Sequence, residues 1–261
     1  MRYCASTFTV GRRPGLATLV LGVSLALGPS STALGAVPDQ SPSPTIVETE
    51  TLRPADNRRH GEIMRMTHYS DGSTEIHGTK MIEAGAAGTK YTMDLESGTY
   101  RETAAGREAT KRSGVGSVEQ AGTVSAAALA SRRVHIRISD PVFAVVAQNY
   151  NELWWGFDFT KVWPNALAEW CSASNPTQFG THWFTLSCND GRGAWVWNGN
   201  RITNVSKGLY NNWDFADDAI ETRCEASSTI TGHQDGNADV SWSSRCWGEF
   251  SWLLGATVDI S

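Results

Sequence analysis

The second half of the chain is written in alternation. Val134, Ile136 and Ile138 are apolar, and His135, Arg137 and Ser139 between them are polar. A period of two puts one set against a core and the other in solvent, so 134–139 predicts a strand. Asp140-Pro141 ends it, and 142–147 predicts the next. Alternation returns over 153–161. Leu153, Trp155, Phe157 and Phe159 fall on one face, with Trp154, Gly156, Asp158 and Thr160 on the other. Further strand-like stretches follow at 181–188, 193–197, 202–205, 220–227, 229–232, 240–244 and 249–260, with Asn198-Gly199 as a turn. Residues 166–170 read as a helical turn. The expected fold is all-β: an antiparallel β-sandwich, or a barrel-like closure, over residues 132–261.

The first half is patterned differently. Segments 62–69 and 74–81 flank Ser70-Asp71-Gly72-Ser73, and Asp-Gly between alternating runs is a strong hairpin signal. A second candidate hairpin joins 89–95 to 99–103 through Glu96-Ser97-Gly98. This stretch has no tryptophan and few large apolar residues. It reads as a poorly cored hairpin segment, 37–103. Residues 104–131, rich in Ala, Gly, Ser and Thr, read as a low-complexity linker with a marginal helix at 124–131. The expected domain boundary lies near Arg132-Arg133, a dibasic pair that also fits a processing site. On this reading 134–261 folds alone and 37–131 does not.

Residues 1–36 read as a secretory signal peptide. Arg2, Arg12 and Arg13 precede the apolar run 16–27, and Ala33, Gly35 and Ala36 follow. The leader has the style of exported bacterial proteins and predicts a secreted, extracellular product, with no membrane insertion after its removal. Cys4 leaves with it. That gives the remaining four cysteines an even count in an oxidising compartment. The sequence-local pairing Cys171–Cys188 and Cys224–Cys246 is the expected one, each bond contributing about 3 kcal/mol in the chain-entropy model. No C-x-x-C pair supports zinc instead.

The net charge is −5 at pH 7. From Val134 onward acidic residues outnumber basic ones two to one, a field that repels nucleic acid. All 11 tryptophans lie between Trp154 and Trp252. A small sandwich cannot bury every one of them. The expected ligand-binding residues are Trp154, set opposite Trp155 by strand parity, the pair Trp195 and Trp197 on one face, and Trp213 in an Asn/Asp-rich turn. Exposed indoles of this kind stack on sugar rings or anchor protein partners.

Signals for catalysis are sparse. There is no G-x-S-x-G and no H-E-x-x-H. His135, His182 and His233 carry no motif. Asp158 and Glu169 are the carboxylates that could serve a glycosidase. Asn204-Val205-Ser206 fits a glycosylation pattern. The acidic clusters 214–218 and 235–239 resemble fragments of a calcium site, but no loop motif is complete. No cofactor is expected. The leading expectation is a secreted, non-catalytic binding module for a glycan or an extracellular protein. The alternatives are a secreted hydrolase and a structural cell-surface protein.

Overall fold

The computed structural model describes residues 43–56, 62–94, 97–104, 127–142, 144–174, 182–188, 196–197, 199–213, 221–248 and 251–261. At 196–197 and 252 the backbone alone is described. The leader and most of the expected linker lie outside these residues. In chain order the strands are β1 (Ile46–Thr51), β2 (Arg53–Pro54), β3 (Ile63–Tyr69), β4 (Thr74–Ile82), β5 (Thr89–Asp94), β6 (Thr99–Ala104), β7 (Ala128–Ser139) and β8 (Val145–Phe157). They continue with β9 (Val162–Ala173), β10 (Trp183–Cys188), β11 (Val196–Trp197), β12 (Arg201–Asn212), β13 (Thr222–His233), β14 (Ala238–Gly248) and β15 (Gly255–Ile260). Among the described residues there is no α-helix, only a 3₁₀ turn at Ser251–Leu253.

The strands form two sheets. Sheet 1 runs β1-β3-β4-β14-β13-β12-β10, with β11 also on β12. Sheet 2 runs β2-β6-β5-β15-β7-β8-β9. Pairing is antiparallel throughout except β2 with β6. Among the described residues neither sheet closes on itself, so the architecture there is a sandwich rather than a barrel. Alternation puts Val134, Ile136 and Ile138 of β7 and Leu153 and Trp155 of β8 in the core, opposite Ile202, Ala226 and Ile230 of sheet 1. The disulfides follow the expected pairing. Cys171–Cys188 ties β9 of sheet 2 to β10 of sheet 1, while Cys224–Cys246 staples directly opposed residues of β13 and β14.

The centre of the sandwich is polar. Asn149 Nδ2 donates to Ser206 Oγ at 2.9 Å, and Asn204 Nδ2 donates to Asn151 Oδ1 at 2.8 Å. Asn151 Nδ2 also donates to the Ser228 carbonyl at 3.1 Å. Trp155 Nε1 donates across the sheets to the His233 carbonyl at 3.1 Å. Buried amides without partners are costly, so these bonds specify how β8 sits on β12 and β13.

Three expectations change. Residues 62–104 are not a poorly cored appendage: β4 pairs with β14 and β5 pairs with β15, in the middle of both sheets. Their apolar residues are few because they share a core with the other half. The indole of Trp242 lies directly over Gly78, where a Cβ would approach within 2.1 Å. Tyr91 stacks on Trp242 at 5.5 Å, and Tyr100 meets Tyr91 edge-on. Lys80 Nζ then bonds Tyr91 Oη at 2.6 Å and Glu102 Oε1 at 3.3 Å, while Tyr100 donates to Glu62 at 2.7 Å. Burial, reinforced by the Glu62 carboxylate, holds both tyrosine hydroxyls well above their ordinary pKa. Second, Arg132 and Arg133 lie within β7, and Ala128–Ser131 is strand rather than helix. Third, residues 166–170 belong to β9.

A chain lacking residues 43–104 loses one neighbour each of β14 and β15 and uncovers Trp242. Its thermal unfolding, followed by tryptophan fluorescence, is expected to lose its sharp transition. A cooperative transition at the temperature of the whole chain would contradict the shared core.

Candidate binding face

The outer face of sheet 2 is built by the same alternation that fills the core. On β8 the inward residues are Asn149, Asn151, Leu153, Trp155 and Phe157, so Gln148, Tyr150, Glu152, Trp154 and Gly156 face out. Cross-strand register then assembles rows. Lys90, Asp259, His135, Tyr150 and Trp170 stand side by side on β5, β15, β7, β8 and β9. Glu152 is flanked by Arg133 and Ala168, and Trp154 by Ser131 and Ala166. A register shift in β9 between the partners of Trp154 and Trp155 brings Trp163 opposite Gly156. The Trp163 indole covers that glycine so closely that a Cβ would come within 2.1 Å of it. The ring therefore lies on the sheet, as only a glycine opposite it allows.

The row at Tyr150 is an aromatic cluster. The Tyr150 and Trp170 rings stack at 5.2 Å with planes 12° apart. His135 meets both edge-on, at 5.6 and 5.4 Å. Trp170 is 37 % exposed on β9, the outermost strand in the order of sheet 2. Polar groups surround the rings. His135 Nε2 pairs with Gln148 Oε1 at 3.0 Å, Tyr150 Oη donates to Glu152, and Arg137 pairs with Asp259. Burial, aided by the Arg137 charge, lowers the His135 pKa to about 4. Burial, followed by the bond to Glu152, pushes Tyr150 up to about 12, and burial also raises Glu152. The cluster thus presents a neutral imidazole, stacked rings, and donors and acceptors on one flat surface.

Of the tryptophans expected to bind ligand, Trp154 is on this face and half-buried. Trp213 is not: it follows β12 at the end of sheet 1, 64 % exposed, with Phe184 edge-on at 5.3 Å. Trp195 lies outside the described residues, and for Trp197 only the backbone on β11 is described. Trp155, Trp183 and Trp242 are fully buried. His135, Tyr150, Trp163 and Trp170 were missed as a group. The parity of 134–139 does put His135 outside, but the helical reading of 166–170 hid the strand that presents Trp170.

The carboxylates expected of a glycosidase do not meet. Asp158 caps the β8–β9 turn, accepting from the amides of Thr160 and Lys161. Glu169 is buried and sits opposite Asn151, seven residues back along β8. At about 3.3 Å per residue that is roughly 23 Å, against the ~5–10 Å that such chemistry requires. His182 and His233 lie on sheet 1 or its approach, and His233 pairs with Asp239 at 2.9 Å. Asn204 of the glycosylation pattern is fully buried and holds Asn151, so it is not available as an acceptor. In the turn at 235–239, Asp235 accepts from the amide and side chain of Asn237. Among the described residues no three acidic, histidine or cysteine side chains converge to hold a metal. The cluster 214–218 lies outside them.

No protein-family model matches the chain, and its comparison with curated proteins and with solved structures gave no significant match.

The His135 environment carries a pH signature. Its folded pKa, about 4, lies below the ordinary 6.5. Between these values the unfolded chain binds a proton that the folded chain refuses, so stability falls as pH drops from about 6.5 towards 4. Denaturant titrations across this window should show a shallower decline for His135→Gln than for the parent. Parallel declines would contradict a half-buried neutral imidazole.

Proposed function

We propose that this is a secreted, non-catalytic protein that presents the outer face of sheet 2 to a glycan. The observation that carries the reading is the Tyr150–Trp170 stack, exposed on that face and ringed by His135, Gln148, Glu152 and Arg133. Indoles offer the apolar faces of sugar rings a flat surface of matching size, and polar neighbours fix the hydroxyls. Two disulfides are consistent with an oxidising, extracellular location, and residues 1–36 read as an export leader. Trp154 stays in the proposed site. Trp213, at the end of sheet 1, is the competing placement. An extracellular protein is the second kind of ligand an aromatic face serves. The hydrolase alternative loses the support of Asp158 and Glu169, which stand too far apart.

A glycan array probed with the full secreted chain tests this. A hit should be weakened at least tenfold by Trp170→Ala, the scale expected of an aromatic anchor. The melting temperature should barely move, because Trp170 lies outside the core. Loss of binding on Trp213→Ala, with Trp170→Ala silent, would move the site to sheet 1. Absence of any glycan ligand, with capture of a protein through the same residues, would replace the ligand class.

A further inference from the structure

The geometry points to a particular shape of ligand: a linear, flat-ribbon oligosaccharide lying along β8 and β9 and engaging two aromatic stations at once. This rests on the glycan reading above. The first station is the Tyr150–Trp170 stack. The second is Trp163, laid over Gly156, with Trp154 beside it. Six residues of β8 separate Tyr150 from Gly156, roughly 20 Å at the strand rise. Between the stations the β9 residues paired with Glu152 and Trp154 are the small Ala168 and Ala166, and the exposed Pro164 and Asn165 lie at the register shift next to Trp163. Beside that floor, nearer the first station, lie Glu152 and Arg133, an acceptor and a donor.

A monosaccharide covers one station and leaves the other idle. A chain of several sugars reaches both. The surface is a sheet face rather than a cleft, which favours a polymer whose equatorial linkages keep successive rings coplanar. A chain that coils would lift its rings from one station while resting on the other. Linking two modest stacking contacts through one ligand raises affinity without any new kind of contact, by up to about 100-fold or more when the spacing matches.

The test uses β-1,4-linked gluco-oligosaccharides from disaccharide to hexasaccharide, with the α-1,4-linked series as the coiled comparison, titrated by calorimetry against the full secreted chain. Affinity should climb with length and then level off, and the α-linked series should bind at least tenfold more weakly at equal length. Trp163→Ala should cut hexasaccharide binding to near the level of the shorter chains and abolish the rise of affinity with length. Trp163→Phe should restore part of the gain, and thermal melting should show both variants folded. Affinity independent of length, or equal for the coiled series, would overturn the two-station track and leave the glycan reading standing. No binding by any member, together with an empty glycan array, would remove the glycan reading itself.

Discussion

The register of β8 against β12 and β13 is the constraint on which the rest of the molecule depends. It is set by amides in the middle of the core. Asn149 and Asn151 reach Ser206, Asn204 and the Ser228 carbonyl, and these groups are fully or almost fully buried. A one-residue slip would push Tyr150, Glu152 and Trp154 inward and turn Leu153 and Trp155 out. An apolar core alone would tolerate small slides. Buried amides do not, because each misplaced donor or acceptor costs on the order of 1–3 kcal/mol. The same bonds that fix the core therefore decide which aromatics reach the surface.

From that register the outer face of sheet 2, the proposed binding face, follows without further devices. Outward positions of β8 meet outward positions of β7 on one side and β9 on the other, which builds the row from Lys90 to Trp170. The shift in β9 then allows Trp163 to settle over Gly156. The tryptophans divide by the side of the sheet they occupy. Trp155, Trp183 and Trp242 fill the core, and Trp154, Trp163 and Trp170 dress the outside of sheet 2.

Much of this was legible in the chain. The alternation at 134–139 and 153–157 put the right residues inside, the Asp71-Gly72 turn announced β3 and β4, and the short cysteine spacings gave both disulfides. Two features were hidden for physical reasons. Asn165-Ala166-Leu167-Ala168-Glu169 is composed mainly of helix formers, yet β8 on one flank and the Cys171–Cys188 bond hold it extended. Strand formation depends on neighbours more than on intrinsic preference, so local sequence misled. The N-terminal hairpins looked uncored because their largest partner, Trp242, is more than 140 residues away in the chain. A glycine such as Gly78 is a silent signal until the indole that needs its missing side chain is in place. The outward tryptophans of sheet 2 divide in the same way: the position of Trp154 was readable from parity, whereas Trp170 and Trp163 depended on knowing that β9 exists.

The most direct measurement is an NMR titration of the folded chain with an oligosaccharide ligand, following the indole N–H signals. Each tryptophan gives its own resonance and reports its own surface. If sheet 2 is the binding face, the signals of Trp154, Trp163 and Trp170 move with a common dissociation constant, while those of Trp155, Trp183 and Trp242 stay still. Movement centred on Trp213, with the sheet 2 indoles unchanged, would contradict the account.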